Sequence, residues 1–444
     1  MRVLLISGYE LGHQPLHLAA PAAELLAAGV EVSTLDLAVE PWSAHQLDAV
    51  EAVAISVPMH TALRLGIEAA RRIRRLRPDL PIAFYGLYAA VGAEESPGLV
   101  DRRICGEYED ALVEWVRSLD GEPTGGVSVH IGRRRFRRPA RHLLPPLDRY
   151  AHLAVGDGHR LVGYVEASHG CRHRCTHCPV PTVYDGRYRV TGEETVLADV
   201  AQLVEAGARH ITFGDPDFLN APAYARKVLE AVHADFPDLT FDVTVKVEHI
   251  LAHRELLPEL AAAGVLFMVS AFESLDESIL RRMDKGHTAS DSAKAVEVAR
   301  QTGIDLHPTW LPFTPWSTVD TVADISQFVW DQDLAPVTDP VQMTIRLLIP
   351  DGSLMLELAD LTPHLVSYDP EALGYTWRSA DPAADLLQKR LEAIAAAGAS
   401  AGTDPLEILA ELSAIIAAES GSNFAAPVGN GGAPRPRLTE PWFC

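Results

Sequence analysis

The chain has 444 residues, 48% of them hydrophobic and 22% charged, which is enough apolar material for two or three packed domains of an ordinary globular protein. Its formal net charge of −22 argues against a nucleic-acid groove, because phosphate binding needs Lys and Arg clustered over a whole face. The opening apolar run is too short for a signal peptide and no segment approaches a membrane span, so the expectation is a cytoplasmic protein with neither nucleic acid nor membrane as partner.

Between residues 3 and 119, short β-branched runs alternate with helical patterns, which predicts a Rossmann-like parallel sheet within a first domain at 1–120. Strands are predicted over 3–7, 30–35, 52–57, 82–85 and 103–105. A helix is predicted over 63–76, where Leu63, Ile67, Ala70, Ile73 and Leu76 recur at helical spacing. Cys105 ends an apolar stretch and reads as a core thiol. Residues 121–159 form a connector rich in Gly, Pro and Arg, broken at Pro145-Pro146. Its basic run, Arg133-Arg134-Arg135-Phe136-Arg137-Arg138, reads as a solvated linker or a clamp against an acidic neighbouring surface.

The apolar run 161–165 reads as a short buried strand, and it delivers Gly170-Cys171-Arg172-His173-Arg174-Cys175-Thr176-His177-Cys178-Pro179. Three of the five cysteines therefore stand in one CxxxCxxC loop, a metal-site spacing and the cysteine usage of a reducing compartment. A structural zinc or a closed iron–sulfur cluster takes four protein ligands, so three thiolates leave one coordination position open. The competing reading is a zinc-stabilised scaffold without catalysis, with His169, His173 or His177 as the fourth ligand.

The CxxxCxxC loop resembles that of the radical S-adenosylmethionine (SAM) enzymes. The resemblance implies a [4Fe–4S] cluster held by Cys171, Cys175 and Cys178, with SAM bound at the fourth iron and a flavodoxin or ferredoxin as electron donor. An aromatic residue usually precedes the last cysteine in that family. Here it is His177, whose flat imidazole can still pack beside an adenine. The 1–120 domain is similar to the cobalamin-binding-like domain that precedes many radical SAM domains. The loop that supplies a histidine to cobalt is absent, its place taken by Gly8-Tyr9-Glu10-Leu11-Gly12-His13, so cobalamin stays open as a cofactor.

After the loop, helices are predicted over 193–206, 223–235, 254–263 and 290–301. Strands are predicted over 210–213, 241–247, 266–270, 305–311 and 341–348, giving six units of a partial (β/α)6 barrel at 160–353. In such barrels chemistry sits at the carboxyl ends of the strands. By resemblance, Gly214-Asp215-Pro216-Asp217 stands where the family has a Gly-Gly-Glu-like turn, with Asp215 or Asp217 in place of the glutamate that holds the methionyl amino group. Lys246 and Glu248 end the next strand. Ser270-Ala271-Phe272-Glu273-Ser274 is similar to the family's Gly-x-Glu-Ser segment, and the run Ile279 to Gly286 matches the pattern that follows it. The implied cofactor contacts are His177, Gly214, Asp215, Asp217, Lys246, Glu248, Ser270 and Glu273, around a small-molecule substrate. Thr309 and Trp316 fall where family members line the substrate cavity. Arg346, an isolated charge in an apolar run, is expected to face a carboxylate.

From 354 to 420 the chain is helical, with helices predicted over 386–397 and 406–418. Residues 421–444 read as a Gly, Pro and Ala linker ending in Leu438-Thr439-Glu440-Pro441-Trp442-Phe443-Cys444, an arm that returns to the active site and makes Cys444 a candidate catalytic thiol. That ending resembles the radical SAM proteins with a CCAEP or CUAEP tail, in which U is selenocysteine. The resemblance implies a continuation past Cys444 through a UGA codon. Related enzymes with such tails act in group transfer during arsenic natural-product formation.

Overall fold

The computed structural model describes residues 1–93, 97–119, 126–423 and 435–440. β1 (Arg2–Ser7), β2 (Glu31–Asp36), β3 (Ala52–Ser56), β4 (Ile82–Tyr85), β5 (Arg102–Gly106) and β6 (Gly126–His130) form a parallel sheet in the order β2-β1-β3-β4-β5-β6. β3 and β4 are buried along their whole length, as parallel strands covered by helices on both faces must be. The helix His60–Leu76 covers one face with Leu63, Ile67, Ala70 and Ile73, and Glu109–Ser118 covers the other with Leu112, Trp115 and Val116. β6 comes from the stretch expected to be connector. Its outward Val127 and Val129 are exposed, which hid the strand from a search for buried runs.

β7 (His152–Val155), also from the expected connector, turns back antiparallel into β8 (Gly158–Val165), which opens the second large sheet. The short β9 (Ser168–Gly170) and β10 (Tyr188–Val190) pair with each other across the cysteine loop. β11 (His210–Phe213), β12 (Thr240–Thr244), β13 (Val265–Glu273) and β14 (Asp305–Trp310) continue parallel from β8. Together they make a half-barrel lined outside by helices, whose core runs from Val165 through Phe213, Phe241 and Met268 to Trp310. The expected strand over 341–348 is corrected. Pro340–Thr344 is a 3-10 turn, started by Pro340 and capped by Asp339, whose side chain accepts from Val341 N–H. Only a single parallel bridge, Phe313 to Arg346, occupies the sixth position.

β15 (Leu365–Asp369) and β16 (Gly374–Trp377) form a hairpin, followed by the helices Pro382–Ala401 and Pro405–Ser420, which pack on the barrel flank through Leu391, Leu409 and Leu412. Arg346 meets the expected carboxylate: it donates to Asp385 at 2.7 Å and stacks over Trp377 at 3.8 Å. β17 (Arg437–Leu438) adds to the free edge of β7. Because β17 is antiparallel to β7, and β7 to β8, β17 runs in the direction of β8 and carries the chain toward the face where the barrel strands end. No helix among the described residues is long and apolar enough to cross a membrane.

The connector is held by charge, by Arg134 and Arg137 to the N-terminal helices and by Arg141 to the barrel. Arg134 of the basic run is buried among Glu24, Glu109 and Asp110, and Arg137 reaches Glu24 at 2.8 Å, so this run is a clamp. Arg141, also buried, makes a bidentate pair with Asp199 of the barrel at 2.9–3.0 Å.

Candidate active site

The cysteine loop begins at Gly170, whose φ of +75° and close neighbours, Arg187 O and the Tyr184 ring, leave no room for a side chain. Asn220 pins the first turn, accepting from Arg172 N–H at 3.2 Å and from the Cys171 thiol at 3.6 Å. Thr176 ties the middle to the barrel through its N–H to Met283 O and its hydroxyl to Arg282 O. The loop closes into the short helix Val180–Tyr184, which packs with Cys171 and Cys178 against Cys105 and the N-terminal sheet. Burial, with the neighbouring thiols, raises Cys171 to about 11 and Cys178 to about 12. As free thiols Cys171 and Cys178 are therefore neutral, and a cationic metal centre is what would deprotonate them. Cys105, held up to about 11 by burial, lies in β5 and is a core thiol.

The barrel strand ends converge on this loop. Gly214 must be glycine, since any Cβ there would lie 1.9 Å from the Tyr164 hydroxyl. Asp215 is buried and uses both oxygens on the chain entering the cysteine loop, accepting from Ala167 N–H at 2.9 Å and Ser168 Oγ at 2.5 Å. Burial raises its carboxyl to about 7. Asp217 caps the turn Phe218–Asn220 with Oδ1 and leaves Oδ2 without a partner. Lys246 sits within 3.5 Å of Glu248. Glu273 stands at a bulge in β13, with φ at +64°, a left-handed conformation that costs a non-glycine residue energy and re-aims its carboxylate. There it meets His177 Nε2 at 3.0 Å and Lys285 Nζ at 3.2 Å. Burial opposes its charge, but Lys285 and His177 hold it well below the usual carboxylate range.

Around this space, His177 Nδ1, Asp217 Oδ2, His249 Nδ1 and Ser270 Oγ are buried and lack hydrogen-bond partners. Native interiors rarely leave such groups open, so their clustering beside three thiols fits a polar ligand over an iron–sulfur cluster. The loop histidines do not complete a four-ligand zinc site. His169 spends its ring nitrogens on Glu107 and Glu166, each at 3.1 Å, His177 turns to Glu273, and His173 turns to His249 at 3.2 Å. Of the two expected cavity residues, Thr309 is half-buried in β14. Trp316 lies under the Arg282 guanidinium at 4.9 Å, with its buried Nε1 partnerless. Cys444 falls outside the described residues. Sequence reasoning missed Lys285, Asn220 and His249. Lys285 stood within the run quoted for its pattern, whereas Asn220 and His249 follow strand ends and carry no spacing signal.

The carboxyl edge of the N-terminal sheet differs. Glu107 is bonded to Tyr184 and His169, Tyr85 donates to His17 O at 2.7 Å, and Asp36 accepts from Tyr150 at 2.8 Å. Each of these groups is bonded within the protein.

Residues 165–324 match the Radical SAM superfamily. The chain is 24% identical over 261 residues to bacteriochlorophyllide d C-8(2)-methyltransferase of Chlorobaculum tepidum, a match spanning 55% of each protein. It thus spans about half the length of that relative. In structure it is similar to the radical S-adenosylmethionine methyltransferase TsrM from Kitasatospora setae, determined with cobalamin and a [4Fe-4S] cluster bound: TM-score 0.64, 18% identity, 97% of this chain and 91% of that one. It is also similar to the cobalamin-dependent S-adenosylmethionine radical enzyme OxsB, with TM-score 0.66, 14% identity, and 88% of this chain against 66% of that one. At these identities the structural likeness speaks to fold, and the fold is theirs. The superfamily's cofactors are a [4Fe–4S] cluster and SAM, and the thiols and open polar atoms described above suit both. Residues 165–324 thus carry a radical SAM domain, built on the half-barrel of β8 and β11 to β14.

Proposed function

We propose that this enzyme cleaves SAM reductively and transfers a SAM-derived group, of the methyl-transfer type, to a small-molecule substrate. The observation that carries the reading is the set of partnerless buried polar atoms facing three thiols of one loop. Cys171, Cys175 and Cys178 would hold the cluster. When bound, the cluster supplies one electron to the SAM sulfonium, and a flavodoxin or ferredoxin renews it.

The chain's own residues do the positioning. Ser270 Oγ and the Glu273 carboxylate lie at one strand end, where Glu273 stays ionised between Lys285 and His177 and presents a fixed negative charge to the SAM ammonium. Gly214 lets the chain pass close to Tyr164, and Asp215 holds the entry of the cysteine loop in place. Lys246 and Glu248 face the same space from the next strand end. Trp310, Phe272 and Phe328 pack edge to face between the barrel strands and the helix Val319–Asp331. The methyl-transfer part of the reading is supported by the methyltransferase relative and by the fold likeness to two cobalamin enzymes. Hydroxocobalamin added to the reconstituted enzyme tests the corrinoid part, since binding shifts its visible spectrum.

The described part of the tail is anchored: Thr439 is bonded to His152 at 2.8–2.9 Å, and Glu440 accepts from Tyr9 at 2.9 Å. Anaerobic reconstitution tests the central reading: about four irons per chain, a reduced-cluster paramagnetic signal and SAM cleavage are expected. Stoichiometric zinc without iron would overturn it.

A further inference from the structure

We propose that His173, Asp217 and His249 form a second metal site, separate from the three thiols, that takes one divalent first-row transition ion. The three side chains come from three elements. His173 lies in the cysteine loop, Asp217 in the loop after β11, and His249 in the helix Val247–Ala252 after β12. One ligand atom from each lies within 4.8 Å of the others. Asp217 is fully buried and His249 is 6% exposed, so water does not compete freely for them.

The fine geometry favours an ion over a hydrogen-bonded chain. Asp217 Oδ2 is 2.6 Å from His249 Nδ1 and 3.8 Å from His173 Nε2, while the other ring nitrogen of His249, Nε2, lies 3.2 Å from His173 Nε2. Yet Asp217 Oδ2 and His249 Nδ1 are both without a hydrogen-bond partner, because their close approach is out of line for one. A carboxylate and an imidazole that meet off-axis in a dry site are aimed at a common point. Metal–ligand bonds of about 2.1 Å put neighbouring ligand atoms about 3 Å apart, and the 2.6 Å and 3.8 Å separations from Asp217 Oδ2 to the two imidazoles bracket that spacing.

The surroundings match a built site. Leu219 N–H holds Asp217 Oδ1 at 3.2 Å, which leaves Oδ2 as the ligand. Glu248 lies 3.6 Å from His173 Nδ1, in the position of an outer carboxylate that orients a ligating imidazole. Two imidazoles with one carboxylate suit zinc, iron, cobalt or nickel, whereas magnesium and calcium prefer oxygen ligands. Three protein ligands also leave coordination positions open to an oxygen or nitrogen donor of a small molecule. The site does not depend on the cluster reading, since none of its ligands is a thiol.

Anaerobic titration of Co2+ into the Cys171→Ala/Cys175→Ala/Cys178→Ala variant tests it. One equivalent should bind with visible d–d bands and no thiolate charge-transfer band, and affinity should fall at least about tenfold in added His249→Ala or Asp217→Asn backgrounds. Should the cysteine variant fail to fold, wild-type protein reconstituted with iron and sulfide and then given Co2+ serves instead. It should hold about four irons and one cobalt per chain, and His249→Ala should lose the cobalt while keeping the iron. Cobalt that stays hexaaquo, or binding unchanged by His249→Ala, overturns the site. So does a His249→Ala protein that loses SAM affinity when the wild type binds no second ion, because the three groups then serve the SAM ammonium. Absence of iron with retention of the cobalt site would refute the cluster reading and leave this one standing.

Discussion

Two parallel sheets in one chain present their carboxyl edges toward the same interior, and they end differently. At the N-terminal sheet, Glu107, Tyr85 and Asp36 all bond to other protein groups. At the half-barrel, Ser270 Oγ and His177 Nδ1 are buried without a hydrogen-bond partner, and Asp217 Oδ2 and His249 Nδ1 meet at 2.6 Å out of line for one. Both edges are where α/β folds place ligands. The N-terminal edge, where Ser56 Oγ is the buried exception, fixes the cysteine loop through Tyr184 and His169, and the half-barrel edge gathers the open polar atoms beside the thiols. The contrast distinguishes scaffold from site within a single chain.

The largest expected effect comes from removing the half-barrel edge's metal. Cys171→Ala, Cys175→Ala or Cys178→Ala should abolish iron binding and SAM cleavage, measured by iron analysis and product detection. Cys105→Ala, in the N-terminal sheet, should keep its iron. Loss of the cluster in Cys105→Ala would erase the distinction between the two edges.

A smaller effect separates charge from packing at Glu273. Glu273→Gln leaves Lys285 buried without its partner, and breaking such a pair costs about 3 kcal/mol in unfolding free energy. The double variant Glu273→Gln/Lys285→Met should recover most of that stability in denaturant titrations while SAM affinity stays reduced about tenfold or more. Recovered SAM affinity would make Glu273 a structural residue alone.

The N-terminal edge is sharpened by pH. His17 pairs with Glu10 at 2.9 Å and lies 3.7 Å from Glu166. Burial lowers its pKa, but these two carboxylates outweigh burial and raise it to about 9. A raised histidine stabilises the fold fully below its unfolded pKa near 6.5, and that contribution is lost as pH rises through 9. Glu166 is held down to about 2 by His17 and His169 against the effect of burial, so its contribution is present above its unfolded value and lost as pH falls toward 2. Thermal stability should therefore decline between about pH 6.5 and 9, by up to about 3 kcal/mol at full titration, and His17→Gln should flatten that decline. An unchanged slope in His17→Gln would remove this network from that edge.

The smallest effect is expected at Gly214. Gly214→Ala meets the Tyr164 hydroxyl and should cost about 1–3 kcal/mol, read as a lowered denaturant midpoint, and Tyr164→Phe in the same background should relieve part of it. Full tolerance of the alanine would mean the strand end shifts freely.

The sequence by itself determined the parts that depend on neighbours along the chain. Three thiols within eight residues carry the spacing of a metal centre, and alternating strand and helix periods declare parallel sheets, because each element buries its own apolar face. Strand-end acids were legible for the same reason. Arg346 was legible as a charge needing a carboxylate, although its partner Asp385 lies 39 residues away. Tertiary structure alone decided the rest. β6, β7 and β17 are too short or too exposed to show a period, and they exist because a neighbouring edge offers unpaired backbone groups. Glu273 meets Lys285 across 12 residues and His177 across 96, and Asp217 meets His173 and His249 from separate strand ends. No local pattern encodes which side chains converge across a barrel mouth. Distances in three dimensions set both the ionisation of Glu273 and the open valences of the site.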